Sequence, residues 1–230
     1  VCAPEDGPPQ ATPSNASRRL KKNIRTYHMA PTVAELAKLN KLHYLAASGK
    51  KGKARAKAAK MGYSSESLKR GVAHWKHADG HSVVSVKGTD PSNVLDLASD
   101  AKLAAGMLSG DTQLKHRRHD IKKIYNKTEG DRYLTGHSLG GSIASKVLSD
   151  SPSIRGATKE AHLFNTGSTK SFNKELTSSL GKETKKDLKE KVVQHRVKTD
   201  IISNSGTTLG KTRLYDKKEG VSDHSLSNFE

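Results

Sequence analysis

The sequence predicts an α/β fold: a mostly parallel sheet flanked by helices, with a basic N-terminal arm. Three observations carry that expectation. From about residue 62, short Val-rich or aliphatic segments alternate with longer, polar, helix-patterned ones. A Gly-x-Ser-x-Gly, Gly136 to Gly140, stands directly between one such strand and one such helix. Positive charge is concentrated at the front, where residues 18–60 hold 13 Lys and Arg against one acid, Glu35.

Three regions follow. Residues 1–17 are rich in Pro, Ala, Ser and Gly, which predicts a disordered leader. Residues 18–60 form the basic arm. Within it PTVAELAKLNKLHYLAAS has a helical pattern: Val33, Leu36, Leu39, Leu42 and Leu45 recur at threes, Pro31 stands near the start and Gly49 just past the end. KKGKARAKAAK, from Lys50, reads as a solvated linker or helix face, or as a contact for nucleic acid or membrane. Residues 61–230 form the α/β domain.

Inside that domain, SLKRGVAHWKHADGHSVVSVKGT predicts strand, turn, strand, with Asp79-Gly80 as the hairpin signal. LDLASDAKLAAGML and TQLKHRRHDIKKIYNKT read as helices. DRYLTG reads as a strand and GSIASKVLSD as a helix. AHLFNT and VVQHRVKTD predict two further strands, joined by a helical SFNKELTSSLGKETKKDLKE.

Composition bounds the function. The formal net charge of +18 favours polyanionic partners: nucleic acid, anionic lipid or an acidic surface. Cys2 is the single cysteine, so no disulfide closes within the chain. No run of 18 apolar residues exists and no signal peptide is evident in this chain, so a transmembrane location is not expected. The sequons at Asn15 and Asn126 read as chance occurrences. The histidine pair His116 and His119 sits among cations without a carboxylate set, and no metal or cofactor is expected.

Gly136-His137-Ser138-Leu139-Gly140 carries the chemistry. A serine at the apex of a sharp strand-to-helix turn is held in a strained backbone conformation. Residues two away on each side come too close for side chains, hence Gly136 and Gly140. Such a serine needs a base, and the base needs a carboxylate. The downstream histidines are His162, His195 and His224. The first two lie within expected strands; His224 lies in a terminal loop that can reach the sheet. Asp200 ends the strand VVQHRVKTD, with Asp223 and Asp187 as rivals. The Leu139 amide is one oxyanion donor. Gly88-Thr89, after VVSVK, supplies the other through Thr89.

Taken in order, these pieces resemble the class 3 lipases, a family of α/β-hydrolases. VVSVKGT is similar to the strand ending in the oxyanion Gly-Thr, and YLTGHSLGGSIA to the nucleophile segment. AHLFNTGSTKSF, VKTDIIS and DHSLSNF are similar to the segments that follow. The resemblance covers about residues 62–230. It implies Ser138 as nucleophile, Asp200 as acid, His224 as base, and Thr89 and Leu139 as oxyanion donors. Lys87 stands where the family usually has Arg, and Thr169-Lys170 where a Pro is common.

The expected function is therefore a serine-dependent ester hydrolase, a lipase or phospholipase. With aromatics at 4%, a polar lipid is the better-matched substrate than bulk fat. LAAGML, residues 103–108, is the one compact apolar stretch near the expected mouth, and its periodicity reads as an ordinary core-facing helix turn. The arm is expected to meet an anionic membrane surface. The alternative is a structural or genome-binding assembly protein that keeps a lipase-like fold, with arm 18–60 touching nucleic acid or capsid. A basic arm on a small hydrolase, in a chain that opens on Val, suits a processed virion protein. Oligomeric state is not legible.

Overall fold

A computed structural model describes residues 29–69, 71–88, 112–167, 170–178, 180–204 and 209–230. The leader 1–17, residues 18–28 of the arm, and LDLASDAKLAAGML, with its LAAGML stretch, lie outside the described residues, as does Thr89.

Seven strands form one sheet in sequence order: β1 (Tyr63–Leu68), β2 (Val72–His77), β3 (Ser82–Val86), β4 (Arg132–His137), β5 (Glu160–Phe164), β6 (Val192–Val197) and β7 (Lys211–Tyr215). The β1–β2 and β2–β3 pairs are antiparallel, and β3 through β7 are parallel. The described helices are α1 (Val33–Ala47), α2 (Lys51–Ala59), α3 (Thr112–Tyr125), α4 (Leu139–Asp150), α5 (Pro152–Ala157), α6 (Lys170–Ser178) and α7 (Lys182–Lys191). The mostly parallel α/β architecture expected from sequence is present.

Alternation along the strands splits the core into two layers. On β3, Val84 and Val86 face one cluster and Val83 the other; on β4, Leu134 and Tyr133 divide the same way. The first layer holds side chains of α3 to α7, including Ile121, Ile143, Leu148, Ile154 and Leu188. These helices connect successive parallel strands. The second layer holds α1 and α2 against Trp75, Tyr133, Phe164 and Val197, closed by Leu226 and Phe229 of a C-terminal 3₁₀ turn, Leu226–Phe229.

The helix expected inside the basic arm therefore belongs to the folded body. Thr32 and Glu35 form a capping box that starts α1. Its Leu36, Ala37 and Leu39 are fully buried on the sheet. Burying a leucine stabilises by roughly 1.5–3 kcal/mol, so this face holds α1 to the sheet whatever the charge on its outer side. Lys38 and Lys41 point to solvent. KKGKARAKAAK forms α2 rather than a linker: Ala54 and Ala58 are buried, while Lys51, Lys53, Arg55, Lys57 and Lys60 are exposed.

Two strands and one helix were not expected. β1 (YSSESL) and β7 (KTRLY) are edge strands with polar or exposed residues, so neither shows the Val-rich pattern. α5 is six residues long, started by Pro152. The single helix expected after AHLFNT is two, α6 and α7, separated around Gly181, the N-cap of α7.

Candidate active site

The carboxyl ends of β3, β4, β5 and β6 meet at one edge of the sheet, where open parallel sheets present their sites. Ser138 follows β4 and caps α4. Its φ is 55° and its ψ −128°, a conformation that costs a non-glycine residue about 1–3 kcal/mol. Tight packing enforces it. A Cβ on Gly136 would lie 2.6 Å from the Gly140 oxygen, and one on Gly140 would lie 2.2 Å from the Val86 oxygen. Around the turn, Ser138 N–H donates to Phe164 O (3.0 Å), and Ser138 O accepts from Gly141 N (2.9 Å).

Asp200 and His224 are brought together. His224 Nδ1 lies 2.9 Å from Asp200 Oδ2, with both residues buried. Donation from Nδ1 leaves the lone pair on Nε2, the tautomer a general base requires. The Ile202 amide donates to the other carboxylate oxygen, Oδ1 (3.1 Å). Burial by itself would raise the Asp200 pKa, but the His224 hydrogen bond and charge, aided by Ser203 and Ile202, hold it below the ordinary value.

Ser138 Oγ and His224 Nε2 are both buried, and among the described residues neither has a hydrogen-bond partner. The Ser138–His224 bond itself is not formed. Such bonds are often long before substrate engages and tighten in the reacting complex. A buried polar atom without a partner is costly, and two at the apex of one strained turn and its neighbouring loop mark a place built for a ligand.

The rivals have other partners. Asp223 pairs with Lys217 (2.6 Å), and Asp187 with Arg155 and Lys191 (both 3.3 Å). His162 and His195 bond each other across β5 and β6 (2.9 Å), and His195 reaches the Tyr215 hydroxyl (2.8 Å). Burial, then the neighbouring His162 and Arg213, push His195 down to about 3, so it stays neutral within the sheet.

Directly after Ser138, Leu139 and Gly140 open α4, where first-turn amides have no partner within the helix. A Cβ on Gly88 would stand 2.5 Å from His137 O and 3.2 Å from Gly140 N, so the backbone after β3 lies directly against the elbow. Thr89, the expected second donor, follows immediately but is not described.

Sequence reasoning missed several supports. Tyr44, on α1, accepts from Gly88 N–H (3.1 Å) and donates to His137 Nδ1 (3.0 Å). His137 Nε2–H in turn donates to His224 O (2.8 Å). Burial, then His224, lowers His137 to about 3, so it acts as a fixed neutral strut. Lys87 places its ammonium 4.9 Å from the Tyr44 ring centre. Arg117 of α3 donates to the Lys87 carbonyl. Asn165, at φ 40°, accepts from Val197 N–H (3.0 Å) and donates to Asp223 O (3.1 Å), tying β5 and β6 to the His224 loop. The Thr166 hydroxyl and Gln194 (2.8 Å) close the floor beneath Gly141.

No family model matches this chain, and no curated protein is significantly similar to it. Among the described residues, no helix is long and apolar enough to cross a membrane.

Proposed function

We propose that the protein is a serine-dependent carboxylic ester hydrolase of the class 3 lipase type, acting on polar lipids through an acyl-enzyme. The observation that carries the reading is the set of three groups at one sheet edge. Ser138 is strained and its hydroxyl unpartnered, and His224 is locked by Asp200 in the tautomer that leaves Nε2 basic.

In this reading His224 Nε2 takes the Ser138 proton as Oγ attacks the ester carbonyl. The Leu139 amide, with a donor from Thr89, holds the oxyanion. The imidazolium, stabilised by Asp200, then protonates the leaving alcohol. Water, deprotonated by His224, releases the acid and restores Ser138.

The exposed cations of α2 support a substrate carried by an anionic surface. Lys51, Lys53, Arg55, Lys57 and Lys60 present charge without large apolar anchors, which suits electrostatic attraction rather than insertion. The test is hydrolysis of a short nitrophenyl ester and of anionic phospholipid vesicles. Turnover by the wild type and none by a folded Ser138→Ala supports the reading; equal rates refute it.

The same cationic helix favours a second reading, an assembly protein that binds nucleic acid and keeps a lipase-like fold. Salt-dependent RNA or DNA binding, weakened by charge reversal on α2, together with no esterase activity, supports it.

A further inference from the structure

We propose that His77, Asp79 and His81, at the β2–β3 hairpin, form a binding site for a divalent first-row transition metal, with zinc best matched to the donors. One ligand atom from each lies within 4.8 Å of the other two. His77 Nδ1 and His81 Nδ1 approach the same carboxylate oxygen, Asp79 Oδ1, at 2.9 and 2.7 Å. Two imidazoles and a carboxylate form a donor set suited to zinc, with a position left open.

The protonation pattern leaves room for a cation. His81 is 2 % exposed, and its Nδ1 has no hydrogen-bond partner despite the short approach to Asp79. Its Nε2 lies 2.9 Å from the Tyr63 hydroxyl. A metal on Nδ1 requires the tautomer in which Nε2–H donates to the Tyr63 hydroxyl; with the reverse direction Nδ1–H would instead face the Asp79 carboxylate. His77 Nδ1 accepts from the Asp79 amide (3.4 Å), which directs its lone pair to the same region. Three electron-rich atoms this close need a proton or a metal ion between them, and Asp79 Oδ1 is held in place by the His81 amide (3.2 Å). The Tyr63 bond is the outer hydrogen bond that metal-bound histidines usually make.

The surroundings hold the ligands in place. The turn is closed by His77 N–H to His81 O (2.9 Å) and Gly80 N–H to His77 O (3.0 Å). The His77, Tyr63 and His81 rings pack against one another in a triangle, with centroids 4.7, 4.6 and 5.6 Å apart. Gly62 leaves space for the His77 ring: a Cβ there would stand 2.6 Å from His77 Nε2. Asp79, at the turn apex with a side chain 30 % exposed, can withdraw to admit an ion.

The cluster precedes β3, whereas Ser138 follows β4 at the opposite end of the parallel strands. A five-residue strand separates them, about 17 Å, so this ion takes no part in the Ser138 chemistry. Its role is to pin the hairpin to the start of β1 through Tyr63. The sequence hides the cluster, because Asp79-Gly80 reads as a turn and its flanking histidines meet only after β2 and β3 pair.

The experiment is calorimetric titration of the chelator-treated full chain with zinc chloride, repeated on His77→Gln and Asp79→Asn. Both residues are part-exposed, and circular dichroism checks that each variant is folded. The expected result is saturable zinc binding by the wild type that weakens at least about tenfold in each variant. Cobalt titration should give a visible ligand-field spectrum that the variants lose. No saturable binding, or variants within tenfold of the wild type, overturns the proposal. The second outcome would place the ion on others of the 11 histidines.

Discussion

The Tyr44 hydroxyl lies 3.0 Å from His137 Nδ1, and this contact joins α1 to the segment that carries Ser138. Because His137 donates from Nε2 to the His224 carbonyl, its Nδ1 must accept, and Tyr44 must donate. The same oxygen accepts from Gly88 N–H. One phenol thus positions the β3 loop and, through His137, the His224 loop. Tyr44→Phe leaves both groups unpaired. Stability should fall by about 1–2 kcal/mol in urea denaturation. Ester turnover should drop about tenfold or more, with KM changing less, because the oxyanion loop and His224 drift. Unchanged stability and kcat would show that the contact positions nothing.

Stability should depend on pH through buried neutral histidines. Burial chiefly lowers His137 and His195 to about 3 and His43 to about 4, from an ordinary 6.5. Below 6.5 the unfolded chain binds protons that the folded chain refuses. Folding is therefore favoured fully above 6.5 and weakens as pH falls towards 4, by about 1 kcal/mol per pH unit for each such histidine. Asp200, lowered when folded, adds a further loss only below its ordinary value near 3.8. Thermal unfolding should show Tm falling steeply between pH 6.5 and 4. A flat Tm over that window would contradict the neutral assignment.

Glycine substitutions should separate the elbow from the surface. Gly140→Ala drives a Cβ to 2.2 Å from the Val86 backbone oxygen, which has no flexible end to move. Destabilisation should exceed about 3 kcal/mol. Gly52, in α2, has nothing within 4 Å of its absent Cβ. Gly52→Ala should stabilise by about 0.5–1 kcal/mol. Chemical denaturation of both variants checks the contrast, and comparable effects would contradict it.

Asp200→Asn should keep the fold and the pocket while reversing the His224 tautomer. An amide offered to Nδ1 leaves the proton on Nε2, where it cannot receive one from Ser138. Ester turnover should fall by about 10⁴-fold. Asp223→Asn, at a residue whose carboxylate pairs with Lys217, should lose little. Equal losses in the two variants would move the acid away from Asp200.

The elbow was legible because its constraint is local: two glycines flank Ser138, and a strand and a helix flank the glycines. The Asp200–His224 contact follows the chain order read from sequence: Asp200 closes the turn after the readable strand β6, and His224 lies in the C-terminal loop. Tyr44 was not legible. It lies 93 residues before His137 on a helix whose cationic side suggested a detached arm. The buried stripe of Leu36, Leu39 and Leu42 was visible, but periodicity does not say which surface a helix covers. β1 and β7 were missed because edge strands need no apolar alternation, as Ser64, Ser65 and exposed Leu214 show. Asn165 carried no signal, because its role arises only where β5 ends beside β6.

The most direct test treats the folded chain with a fluorophosphonate ester and locates the adduct by mass spectrometry. Ser138→Ala and heat-unfolded protein serve as controls. The account predicts a single adduct on Ser138 in the folded wild type and none in either control. Folded wild-type protein that stays unmodified, or is labelled at another serine, would contradict an activated Ser138.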